Sequence, residues 1–90
     1  MVYAGEEVKM KQSIKLFAYL AEQLGAEAEI QLPALIGKQI ILENVAEAFP
    51  AAKPEIMECN VAINQAFVST EEYHLESVEE IALIPPVSGG

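Results

Sequence analysis

Glu80-Ile81-Ala82-Leu83-Ile84-Pro85-Pro86-Val87-Ser88-Gly89-Gly90 ends the sequence and decides how the rest is read. After the glutamate its apolar residues occupy both alternating phases. Such runs usually lie in the middle of a sheet, covered on both sides. Two prolines then stop the strand, because proline offers no N–H to a ladder and fixes φ near −65°. They also hold the last residues extended. Gly89 and Gly90 remove every side chain from the final positions. Six extended residues reach about 20 Å. A narrow, bare, projecting carboxylate suits a partner that must draw the terminus into a buried site.

Working back from that strand, Cys59-Asn60-Val61-Ala62-Ile63-Asn64 reads as a strand. The Asn64-Gln65-Ala66 corner turns it into a short partner, Phe67-Val68-Ser69. Residues 70–77 are polar and predict a loop with a turn of helix around Glu71–His74. Residues 37–49 predict the main helix. Leu42, Val45 and Phe49, flanked by Ile41 and Ala48, form its apolar stripe, and Pro50 and Pro54 end it. Upstream, Ser13 to Ala18 alternates as a strand, with Ile14, Leu16 and Ala18 on one face and Lys15 and Phe17 on the other. Tyr19 to Leu24 predicts a short helix stopped by Gly25. Glu29-Ile30-Gln31-Leu32 predicts a second strand, ended by Pro33. One mixed sheet with the main helix packed on one face buries that single stripe economically. The order is that of an α+β, ubiquitin-like β-grasp roll. Residues 1–11 are expected to be a flexible extension, 12–84 the domain, and 85–90 an extended functional tail.

Composition narrows the function classes. The chain has 90 residues, 52% hydrophobic and 21% charged, enough for one small core and too apolar for disorder. Its 14 acidic residues are all glutamate against five lysines and no arginine, a net charge of −9. Nucleic acid is disfavoured, since phosphate binding needs clustered Lys and Arg. A basic protein partner would be steered by this field. No run approaches the roughly 20 apolar residues that span a bilayer, and the acidic start lacks the features of a secretion signal. A cytoplasmic protein is expected. Cys59 is alone, so there is no internal disulfide, and it reads as a core residue rather than a nucleophile. With His74 the only histidine and no Asp, no metal site is expected.

The ending Ile81-Ala82-Leu83-Ile84-Pro85-Pro86-Val87-Ser88-Gly89-Gly90 resembles the C-terminal signature of the molybdopterin synthase small-subunit family, and Leu16-Phe17-Ala18 and the Asn64-Gln65 corner are similar to that family's first strand and hairpin. The likeness covers about residues 12–90. It implies a sulfur carrier that is not catalytic alone. An activating enzyme would use ATP to adenylate Gly90, and sulfur would replace AMP to leave a terminal thiocarboxylate. The tail from Pro85 through Pro86, Val87, Ser88 and Gly89 would be held by the large synthase subunit, in a heterotetramer of two small and two large subunits. Sulfur would pass to the dithiolene of molybdopterin. The chain itself would bind no cofactor. The same resemblance leaves room for sulfur carriers of thiamin synthesis or tRNA thiolation, and for a ubiquitin-like protein modifier. The family commonly has Arg in the short helix where this chain has Ala21.

Strand phase adds a docking face. Phe17 shares its side with Lys15, and Ile84 shares its side with Ala82 and Glu80. If Phe67 also points outward, Phe17, Phe67 and Ile84 form an apolar patch beside the tail, at positions where the family binds its partners. The alternative is a small secondary cluster in which these residues cover one another.

Overall fold

The computed structural model describes residues 9–86. The expected functional residues Val87, Ser88, Gly89 and Gly90, and residues 1–8 of the expected extension, lie outside the described residues. The chain order is β1 (Met10–Leu16), α1 (Ala18–Leu24), β2 (Glu27–Leu32), β3 (Leu35–Gly37), α2 (Lys38–Ala48), α3 (Lys53–Met57), β4 (Asn60–Ile63), β5 (Ala66–Phe67), β6 (Glu72–His74) and β7 (Ile81–Ile84). Short 3₁₀ turns at Pro50–Ala52 and Leu75–Ser77 complete it.

Five strands form one mixed sheet in the order β2-β1-β7-β4-β5. The final strand is central, as its two apolar phases require. It runs parallel to β1, with Ile14 beside Ile81 and Leu16 beside Leu83, and antiparallel to β4, with Val61 beside Leu83. Ile14, Leu16, Val61, Ile63, Ile81 and Leu83 are all buried and share one face. That face meets Ile41, Leu42, Val45 and Ala46 of α2 in a single core. No polar side chain is buried among the described residues.

Helix α2 has no side-chain cap, no acid in its first turn and no base in its last. Its stability therefore comes from its packed stripe. Ala46 rather than Ala48 completes that stripe: Ala48, the last residue of α2, lies on the edge of the stripe near Ile41 and is exposed.

Four expectations need correction. The domain starts before residue 12: Met10 and Lys11 already pair with Leu32 and Gln31. The first strand ends at Leu16, so Ala18 is not a core-facing strand residue. Phe17 is the extended N-cap of α1, and Ala18 turns the chain at φ 55°, a conformation that costs a non-glycine residue about 1–2 kcal/mol. Pro50 ends α2, but the helical path resumes. Pro50 opens the 3₁₀ turn and Pro54 lies in the first turn of α3, where the missing N–H costs little. Finally, residues 72–74 are strand and the helical turn comes afterwards. β6 pairs with β3 in a two-stranded sheet, Ile36 opposite Tyr73. The pair fits closely: a Cβ on Gly37 would stand 3.3 Å from the Glu71 carbonyl oxygen. In the preceding loop the Ser69 N–H donates to the Glu71 carboxylate at 2.7 Å, and this holds the Glu71 pKa below the usual range.

Candidate functional site

The site is assembled at the end of β7. Ile81 and Leu83 lock this strand into the core, and Pro85 directly after it is also buried. Pro86 is exposed and is the last described residue. Pro85 thus belongs to the packed domain rather than to a free tail. The root of the terminus is fixed by a central strand and a seated proline.

The open side of the sheet is read from the register. Lys15 stands beside Ala82, Ala82 opposite Ala62, and Ala62 opposite Phe67. Residues opposite one another share a face, so Lys15, Ala82, Ala62 and Phe67 form a row across the open side. Ile84, two residues beyond Ala82, lies on that side as well. Phe17 continues the phase of Lys15 and stands at the level of Ile84. The structure therefore puts Phe17, Phe67 and Ile84 on one face, with Phe17 and Ile84 at the tail end of the sheet and Phe67 level with Ala82, on the hairpin side. Phe67 is 67% exposed and Phe17 45%, while Ile84 is partly covered. Two strand spacings separate Phe67 from β7, about 10 Å. Aromatic rings this exposed do not cover one another as a closed secondary cluster would require. Between them Ala62 and Ala82 are only 7% and 6% exposed. Their short side chains make a low floor beside Phe67, a feature legible only in the alternation of small residues along the strands.

The hairpin that presents Phe67 is firmly held. Asn64 and Gln65 sit at φ 53° and 70°, the two positive values of a tight turn matched to strand twist. The Asn64 side-chain oxygen accepts the N–H groups of Glu79 and Glu80 at 2.7 and 3.1 Å, and its amide donates to the Ser77 carbonyl at 3.4 Å. Its backbone N–H donates to the Glu80 carbonyl at 2.8 Å. Asn64 thus ties the β4–β5 turn to the start of β7. The sequence showed the corner but not this clamp, whose partners are 13 to 16 residues away. The Glu80 carboxylate is bracketed by Lys15 Nζ at 3.3 Å and by the Gln65 amide, which donates to it at 3.4 Å.

Cys59 is buried, and its thiol donates to the Glu55 carbonyl at 3.4 Å. Burial and then the nearby Glu58 push its pKa up to about 11. A thiol held protonated is a poor nucleophile, in keeping with a core role. Tyr19 of α1 is near the same acids, and its phenol pKa is raised, first by burial and then by Cys59, Glu58 and Glu55. Ala21 is half-buried and packs against the core, so the position where the related family commonly has Arg is filled here by a packing residue. Among the described residues no three His, Cys or Glu side chains converge on a metal-sized site. Nor, among the described residues, is any helix long and apolar enough to cross a membrane.

Two comparisons bear on this arrangement. The model of the ThiS family matches residues 14–90. The crystal structure of SAMP1 from Haloferax volcanii is similar, with a TM-score of 0.69 and 27% identity over 90% of this chain and all (100%) of that one. Among curated proteins none matches the chain. The mixed sheet with α2 across one face is the ubiquitin-like β-grasp fold.

Proposed function

The chain belongs to the ThiS family, and on that premise we propose that it is the sulfur-carrying small subunit of molybdopterin synthase, with Gly90 as the carrying residue. One observation carries the reading. The central strand of the sheet runs into a buried Pro85 and an exposed Pro86, and the family match continues through Gly90. A fixed root followed by a thin glycine end is what delivery of a terminal group into another protein requires.

The chemistry uses no acid or base of this chain. The Gly90 carboxylate attacks the α-phosphate of ATP within an activating enzyme, and pyrophosphate leaves. The acyl adenylate that results has a good leaving group. The terminal sulfur of a persulfide attacks its carbonyl carbon, the C–O bond to AMP breaks, and a thiol then reduces the remaining S–S bond. A thiocarboxylate is left on Gly90. The large synthase subunit accepts the tail, Pro86 through Gly90, and sulfur passes to the pterin precursor while water restores the carboxylate. A dithiolene holds two sulfurs, so two charged carriers serve each product. This chain's contribution is mechanical: β7 positions the terminus and the open face docks. Phe17, Phe67 and Ile84 supply the apolar contact, and exclusion of water around such anchors concentrates binding energy there.

The test is intact mass after incubation with an activating enzyme, ATP and a sulfur donor. The expected result is a gain of about 16 mass units, sulfur for oxygen, which localises to Gly90 and vanishes on deletion of Gly89 and Gly90. An unchanged mass overturns the carrier reading. Binding to the large synthase subunit with dithiolene formation separates molybdopterin from thiamin or tRNA thiolation. Isopeptide-linked lysine conjugates in the same reaction would favour a protein modifier instead.

A further inference from the structure

The five-stranded sheet ends at β5 on one side and β2 on the other. β5 has two residues and β2 six. Among the described residues no strand pairs with the outer side of β2. Its register shows which backbone groups that side presents. The Leu16 N–H donates to the Ala26 carbonyl at 2.8 Å, and hydrogen-bonded positions of an antiparallel pair alternate. Ala28, Ile30 and Leu32 therefore turn their backbone groups inward, towards Ile14, Gln12 and Met10. Glu27, Glu29 and Gln31 turn theirs outward. An unpaired edge of this length is a template for another strand.

A second feature lies along the same edge. A cleft of about 270 Å³ runs between β2 and α2, bordered by Glu29 and Gln31 on one side and by Asn44, Glu47 and Ala48 on the other, with Lys9 bonded to Asn44 Oδ1 at 2.9 Å. A strand added to β2 would send alternate side chains to the open face, beside Glu27 and Glu29, and into this cleft, beside Ala48 and Glu47.

Charge decides the occupant. A second copy of this chain, paired β2 to β2 in antiparallel fashion, would set Glu27 and Glu29 against the same acids, and like charges across a pair repel. Glu27 accepts from Ser13 Oγ at 3.3 Å and Glu29 has Lys11 Nζ at 3.8 Å, a pair with both side chains well exposed and worth little in water. A strand bearing Lys or Arg on the open-face phase therefore still meets net negative charge, in a protein whose net charge is −9. We propose that the β2 edge and its cleft bind an extended segment of a partner protein, with basic residues on one alternating phase and small apolar residues on the other. This surface is on the far side of the sheet from β5 and Phe67, whereas Phe17 follows β1, the neighbour of β2.

The probe is a blocked seven-residue peptide alternating lysine and valine, titrated into the full chain and followed by backbone amide shifts. The expected result is saturable shifts centred on Glu27, Glu29 and Gln31. A glutamate–valine counterpart should bind at least ten-fold more weakly. The decisive variant is Gln31→Pro, which removes an outward N–H without touching the β1 ladder or the charge. It should lose binding at least ten-fold while the amide shifts of β4 and β7 and the sulfur mass gain at Gly90 stay unchanged. Equal binding by Gln31→Pro would mean attraction by charge alone and would overturn the proposal. So would shifts centred on Phe67, or amides of Glu29 and Gln31 already protected from exchange before peptide is added. Failure of the mass gain in the parent chain would instead refute the carrier reading and leave the edge experiment standing.

Discussion

On the side of the sheet that meets α2, Ile14, Val61, Ile63, Ile81 and Leu83 have no exposed surface. On the other side lie Lys15, Glu80 and the floor of Ala62 and Ala82, with Phe17 exposed at the tail end and Phe67 on the β5 edge. One side is filled because folding needs apolar area removed from water, about 25 cal/mol for each Å². The other holds its large apolar residues at Phe17 and Ile84, where β7 leaves the sheet, and at Phe67 on the β5 edge, and they add little to the core. Apolar surface retained outside the core is what the proposed docking would use.

The contrast breaks most sharply at Leu83. Leu83→Ala opens a cavity against α2 and should cost about 2–5 kcal/mol, measured by urea unfolding; a loss no larger than that of an open-face variant would refute the division between the two sides. Next comes the clamp that holds the open-face hairpin. Asn64→Ala loses three side-chain hydrogen bonds and retains a positive φ, at about 2 kcal/mol. Asn64→Gly should recover roughly half of that by relieving the backbone.

Cys59 gives a smaller, pH-dependent effect on the covered side. Its folded pKa is raised to about 11 from 9.0, so the folded state binds the proton more tightly than the unfolded one. The associated stability is fully present below pH 9 and is lost as pH rises from about 9 to 11. In alkaline urea titrations Cys59→Ala should show a shallower decline than the parent, and iodoacetamide should label Cys59 far more slowly than a free thiol at pH 8. The smallest stability change belongs to the open side: Phe67→Ala should stay within about 0.5 kcal/mol. The same variant should weaken large-subunit binding at least ten-fold, measured by calorimetry.

Much of this was legible in the residues. The two-phase apolar run at Ile81–Ile84 placed β7 in the centre, and alternation at Ile14 and Leu16 assigned the core face. The Asn64-Gln65 corner was readable because short polar residues tolerate left-handed backbone. The pair of three-residue strands β3 and β6 was not, since three residues carry no period and each becomes a strand only against the other. α3 was hidden because prolines at helix starts and prolines that end helices look alike in a string of letters. At the site, Phe17 and Ile84 could be assigned outward by phase, whereas Phe67 needed its pairing with Ala62. Pro85 reads as part of a tail and is buried.

The sequence alone determined the central strand, the main helix, the acidic charge and the thin glycine end, because each is a local pattern of side-chain size, period or charge. Tertiary structure alone decided which residues share a row across the sheet, that Asn64 fastens a hairpin to a segment 13 to 16 residues away, and which strand edge is left unpaired among the described residues. Those are relations between distant segments, set only when the chain closes on its core, and no local pattern encodes them.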